Sequence, residues 1–361
     1  MRIMLLDPHW AAVPPAAYGG TEAVLDTLAR GLQRAGHEVV LFTTGDSTCD
    51  VPRDSVLPAA IGVGQGGSAT ELRHVIHAYK AAIAAKVDIV HDHTLAGPVY
   101  ANRFAGLPVV TTNHGPFQSE LGDYYRAIAS DTPVIAISHH QASTATGIPI
   151  AAVIHHGIDP ERSPAGSGDG GYAVFLGRMC REKGIPMAIR VARLAGIPLR
   201  IAAKMTEPAE LLYFERHVRP LLGGSVRYIG EVGGTDKTAL LGGAVCLLNP
   251  IDWPEPFGMV MVEALASGTP VVATPRGAAS EIVDHGSTGF ICSGEGPLAK
   301  AVAASADLNR NDCRKAVAGR FSADRMVADH VALYEKVIRD DTRLDRTGEH
   351  AFVRGELTSA C

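Results

Sequence analysis

The stretch from Asp252 to Gly277, DWPEPFGMVMVEALASGTPVVATPRG, holds the pattern that decides the architecture. A Pro-flanked loop gives way to an apolar helix pattern that stops at Gly268. "PVVAT" follows, a short β-branched run of the kind buried on both faces of a parallel sheet. Two carboxylates, Glu255 and Glu263, stand eight positions apart around the start of the helix. An unpaired carboxylate in an apolar setting is costly, so Glu263 calls for partners, and the vicinal hydroxyls of a ribose would supply two donors. Glu255, held in the loop, faces whatever lies at the helix N-terminus, where backbone amides favour an anion or a hydroxyl-rich group. The competing structural roles are a capping charge for Glu255 and a core-edge ion pair for Glu263.

Outward from this stretch the same alternation fills the chain. The first half runs through "RIMLLD", "EVVLFTT", "DIVHDH", "PVVTTNH", "PVIAISH" and "AAVIHHGI", separated by helical patterns such as "TEAVLDTLARGLQRAG". After Asp159 the Gly-, Pro- and Ser-rich run "PERSPAGSGDGG" reads as a linker. The second half repeats the pattern with "YAVFLGR", "LRIAAK", "VRYIGEV", "AVCLLNP", "PVVAT" and "TGFIC". An α/β fold of two doubly wound, Rossmann-like domains is expected, with ligands beyond the carboxyl ends of the strands and a cleft between the domains. Residues 341–361 are polar and aperiodic, and a disordered tail is expected there.

Composition narrows the function classes. With 46% apolar residues the chain is not disordered, and no run approaches a membrane span or a secretory signal, so a cytoplasmic protein is expected. Six cysteines are scattered without a C-x-x-C pair, which suggests neither disulfides nor a cysteine zinc site. Residues 1–160 carry 9 Lys and Arg against 14 Asp and Glu, residues 161–361 carry 24 against 24, and 11 of the 15 histidines lie in the first stretch. An acidic first half is a poor surface for nucleic acid or anionic lipid. The pairs His91/His93, His139/His140 and His155/His156 show no recognised metal-ligand spacing and are read as ordinary hydrogen-bonding groups. No D-x-D pair is present.

In the second half, "VFLGRMCREKG" ends a strand at Gly177 and Arg178 and offers Lys183 and Gly184 just before the next helix. Two cations at a strand-to-helix turn suit a diphosphate: Arg178 as a bidentate fork and Lys183 as a point charge. The alternative is a solvated turn with an Arg181, Glu182 and Lys183 charge cluster.

Taken together, "EPFGMVMVEALASGTPVVAT", "GRMCREKG" and "YGGTEAVLDTLARGLQRAGHEVVLFTT" closely resemble the E-x₇-E segment, the diphosphate motif and the N-terminal glycine loop of glycosyltransferase family 4. "DIVHDH" and "TTNHG" resemble the strands that follow. The likeness runs from residue 1 to about 340. It implies the GT-B fold, with a first domain of residues 1–160 joined by the returning helix 322–340 and a donor domain of 161–321. It also implies retaining transfer from a nucleoside diphosphate sugar without a metal or other cofactor. Position by position, Arg178 and Lys183 would hold the diphosphate, Glu263 the ribose and Glu255 the transferred sugar. His114 would lie near the anomeric centre, and Gly19 and Gly20 would let backbone amides approach the phosphate or acceptor. Ile229, Glu231 and Val232 would face the base, and Pro256, Phe257, Gly258, Met259, Val260, Gly277 and Ala278 would line the donor site.

One departure from the family pattern is "VIHHGID", with His155 and His156 where an Asn-Gly pair is common; Gly157 and Asp159 are retained. A rival dehydrogenase reading rests on "GVGQGG", residues 62–67, which fits G-x-G-x-x-G but follows a Pro-interrupted segment and is not the first strand-to-helix turn. A non-catalytic nucleotide-sugar binder is a third class. The acidic first half points to a soluble neutral or cationic small-molecule acceptor, and a monomer or homodimer is expected.

Overall fold

In the computed structural model residues 1–62, 67–104 and 106–347 are described. Strands β1 (Arg2–Leu6), β2 (Glu38–Thr44), β3 (Arg53–Leu57), β4 (Ile89–Asp92), β5 (Val109–Thr112), β6 (Val134–Ala136) and β7 (Ile150–Val153) form one sheet in the order β3-β2-β1-β4-β5-β6-β7. A second sheet holds β8 (Ala173–Arg178), β9 (Leu199–Lys204), β10 (Val226–Gly230), β11 (Cys246–Asn249), β12 (Val271–Ala273) and β13 (Gly289–Ile291) in the order β10-β9-β8-β11-β12-β13. Every pairing within the two sheets is parallel. Both lobes are therefore doubly wound, and each turns its strand order at the first strand of its own half, which opens a crevice at the carboxyl edge.

The apolar runs explain the layers. Ile3 and Leu5 of β1 pack against Val24, Leu25 and Leu28 of the helix Gly20–Arg34. Met4 and Leu6, pointing the other way, pack against Val75, Ala78 and Tyr79 of the helix Gly67–Ala84. None of these four strand residues is more than 1% exposed, and full burial of each contributes about 1.5–3 kcal/mol.

Three expectations change. The Pro-bounded segment around residue 53, not read as a strand, supplies β3; its first three residues are exposed, as an edge strand allows. The run read as a linker is not free: the amides of Gly166, Gly168 and Gly170 donate to the carbonyls of Ser267, Gly242 and Gly243, pinning it along the second lobe. The last helix spans Ala323–Thr347, past the expected end at 340.

That helix returns to the first lobe. Its Met326, Val327, Leu333 and Tyr334 share a core with Ile3, Leu5 and Leu25, and the Tyr334 hydroxyl is 2.6 Å from His91 Nδ1. The outgoing and returning chains are hydrogen-bonded to each other, Ile158 donating to Phe321 and Ala323 to Ile158. The lobes are thus joined by a two-stranded hinge. Among the described residues no helix is long and apolar enough to cross a membrane.

Candidate functional site

The carboxyl edge of the second sheet gathers most of the residues singled out in the sequence. Arg178 closes β8, and Lys183 follows in a single 3₁₀ turn before the helix Ile185–Leu194. The Lys183 ammonium forms an ion pair with Glu255 and lies 5.4 Å above the Trp253 ring, whose indole N–H donates to the same carboxylate at 2.9 Å. Glu263, on the short helix Met259–Ala266, pairs through Oε1 with Lys237 at 2.7 Å. The core-edge ion pair thus describes one of its oxygens. Oε2 has no hydrogen bond among the described residues. The Arg178 guanidinium makes no ion pair or hydrogen bond among them either, although its backbone carbonyl accepts from the Cys180 amide. Burial works against its charge, but the Tyr18 hydroxyl, Cys180, Glu210 and Glu207 outweigh this and raise its pKa.

Backbone geometry fixes Glu255. Gly277 has φ +58°, and a Cβ there would lie 2.1 Å from the Glu255 carbonyl oxygen, while the Ala278 amide donates to that carbonyl at 3.0 Å. Only glycine lets the two loops close on each other. Gly258, at φ +101°, precedes the helix, and the amides of Met259 and Val260 occupy its first turn, where helix geometry leaves donors unpaired. The Pro256 and Phe257 side chains do not belong to an open surface. Phe257 is 2% exposed and packs against His156 at 5.2 Å between ring centroids.

The first lobe reaches across. The Tyr18 amide donates to Glu231 at 2.9 Å, so this carboxylate is engaged by the opposite lobe. Val232 packs into the second core, and Ile229 is 40% exposed. Tyr18 is 42% exposed, but its hydroxyl lies where neighbouring groups displace water, which raises its pKa, and within the field of Arg178 and Glu255. Gly19 abuts Pro15 and Glu22, whereas nothing lies within 4 Å of where a Gly20 Cβ would stand, leaving the open face at Gly20.

His114 lies two residues beyond β5 and is hydrogen-bonded to His93 at 2.8 Å. It stacks on His156 at 5.2 Å, and His91, His93 and His330 extend the row, with centroids 4.0 and 5.2 Å apart. Burial first, then the nearby His330, lowers the His114 pKa to about 4. Burial likewise holds His91, His93 and His156 well below the usual range. His114 is therefore a neutral imidazole near pH 7, suited to hydrogen-bonding a hydroxyl.

Tyr18, Lys237 and Trp253 were not singled out in the sequence. Trp253 lay within the opening stretch, two residues before Glu255, whereas Lys237 carries no motif. Of the dehydrogenase motif, residues 63–66 lie outside the described residues.

An edge of this chemistry on paired Rossmann-like sheets defines a GT-B glycosyltransferase. Residues 18–162 match the family described as Glycosyltransferase Family 4, and residues 159–316 match Glycosyl transferases group 1. The chain belongs to the glycosyltransferases of family 4. It is 28% identical over 349 residues to a glycogen synthase of Mycobacterium tuberculosis, covering 81% of this chain and 82% of that one. It is 28% identical over 319 residues to a phosphatidyl-myo-inositol mannosyltransferase of Mycolicibacterium smegmatis, covering 80% of each. Among solved structures, Anabaena Alr3699/HepE in complex with UDP and glucose superposes with a TM-score of 0.71 at 20% identity, covering 92% of this chain and 98% of that one.

Proposed function

We propose that this glycosyltransferase moves a hexose from a UDP- or GDP-linked sugar to a hydroxyl of a soluble neutral or cationic small molecule, with retention and without a metal. The carrying observation is the convergence of Lys183 and Glu255, from separate segments, beside Arg178 and the unpaired first turn of the helix Met259–Ala266. Charge that builds on the departing diphosphate would meet Arg178, Lys183 and those amides, while Glu255 and His114 take hydroxyls of the sugar. The free oxygen of Glu263 suits a ribose. The acceptor hydroxyl attacks from the face the leaving group vacates and passes its proton to the departing phosphate. Closure about the hinge would exclude water, which would otherwise hydrolyse the donor.

A thermal-shift panel of UDP, GDP, ADP, their sugars and NAD tests the donor. A ligand at 100 times its Kd adds about 2.7 kcal/mol to the folded state. One uridine or guanosine compound should raise the midpoint, and Glu263→Ala should remove the rise; a shift with NAD alone would favour the dinucleotide reading. Turnover of the winning sugar, even slow hydrolysis, separates an enzyme from a non-catalytic binder.

The acceptor follows from charge. One relative is named for a phospholipid acceptor, but the first half here carries 9 cations against 14 anions. Little co-sedimentation with anionic vesicles is therefore expected at physiological salt, and tight sedimentation would overturn the soluble-acceptor assignment.

A further inference from the structure

Away from the Lys183 and Glu255 pair, three metal-ligand side chains meet where the lobes are stitched together. His139 opens the helix His139–Ser143 after β6, His155 stands two residues past β7, and Glu281 belongs to the helix Ala279–Ile282 of the second lobe. One ligand atom from each lies within 4.8 Å of the others. His155 Nε2 is 2.7 Å from Glu281 Oε2, and the carboxylate also accepts the backbone amides of His139 at 2.9 Å and His140 at 2.6 Å. The exposed His139 imidazole stands edge-on to His155, with centroids 5.5 Å apart, and has no hydrogen-bond partner among the described residues.

We propose that His139, His155 and Glu281 form a zinc-binding site that ties the two lobes together across the hinge. Two imidazoles and a carboxylate are a set that zinc accepts in tetrahedral geometry, with a water in the fourth position. Bonds of about 2.0–2.2 Å place tetrahedral ligand atoms roughly 3.3–3.5 Å apart. The cluster brackets that spacing: the 2.7 Å contact has to open and the widest separation, within 4.8 Å, has to close. Binding costs one hydrogen bond, since the His155 proton moves from Nε2 to Nδ1 and frees Nε2 for the ion. The His140 amide on Oε1 and the His139 amide on Oε2 keep orienting the carboxylate.

The location gives the site a consequence. Two ligands come from the first lobe and its exit, the third from the second lobe, so the ion resists hinge opening. The His155 ring is 5.8 Å from Phe257, two residues beyond Glu255. The spacing rule missed the cluster because its ligands are far apart in sequence. This structural ion is independent of the proposed metal-free transfer chemistry.

The test is titration of the full chain with Co²⁺, followed by displacement with Zn²⁺, reading visible absorption and calorimetry. One equivalent with a tetrahedral cobalt spectrum, displaced by zinc, is expected, together with a higher thermal midpoint. His139→Ala, which removes an exposed ring without a hydrogen bond, should keep the fold and weaken binding by at least about tenfold. Glu281→Gln should weaken it as well. No uptake at millimolar Co²⁺, or uptake that His139→Ala leaves unchanged, overturns the assignment. Every readout is a binding readout, so failure here leaves the proposed sugar transfer standing and failure of transfer leaves the metal site standing.

Discussion

Lys183→Ala is expected to lower kcat by about 10²- to 10³-fold, the effect of removing one donor from a site of developing negative charge. The ammonium is engaged by Glu255 and lies over Trp253, with side-chain exposures of 13% for Lys183 and 16% for Glu255. A diphosphate carries more charge than that carboxylate and would draw the ammonium toward it, freeing Glu255 for sugar hydroxyls. On the proposed reading the pair holds two functional groups in position. A purely structural pair makes the opposite forecast: Lys183→Ala would lower the unfolding midpoint and leave kcat near the wild-type value. Steady-state kinetics and thermal melts on the same preparation separate the two.

Acid should unfold this protein early. His74, His114 and His330 have pKa values lowered to about 4, mainly by burial, and His91, His93 and His156 are lowered well below normal. A group with a depressed folded pKa binds its proton more readily when unfolded, so stability falls as pH drops below about 6.5, the ordinary histidine value. Each such group costs as much as about 1.4 kcal/mol per pH unit between its unfolded and folded values. Three buried carboxyls act the other way. Burial raises Asp92 to about 7, Asp7 well above its ordinary value and Glu22 above its own, so each gains stability as pH falls. Burial lowers His9 and His37 as well, so the depressed imidazoles outnumber the raised carboxyls and the net effect below pH 6.5 is a loss of stability, drawn from a domain total of roughly 5–15 kcal/mol. Urea midpoints at pH 7.5, 6.5 and 5.5 should fall steeply over the last step. A flat profile would mean that these imidazoles titrate freely.

The architecture was legible because burial on both faces writes itself into sequence as β-branched runs, and β1, β4, β5, β8, β11 and β12 are such runs. β3 escaped because an edge strand needs no apolar face. Arg178, Lys183, Glu255 and Glu263 were legible because strand ends and helix starts carry local signatures. Lys237 was not, since its pairing with Glu263 depends on how two helices lie beside each other. The histidine row was read as separate pairs for the same reason: the ends of β4, β5 and β7 bring His91, His93, His114 and His156 together, and the returning helix adds His330.

That returning helix also sets a timetable for synthesis. The core of the first lobe needs Met326, Leu333 and Tyr334, which leave the ribosome about 170 residues after β7 is complete. At about 5–20 residues per second, the second lobe has roughly ten to thirty seconds to mature while the first remains unfinished. Throughout that interval the helix Gly20–Arg34 exposes the apolar seam meant for its late partner. The part of the chain made first is the last to reach its final state, and in a crowded cell that open seam is where aggregation would begin.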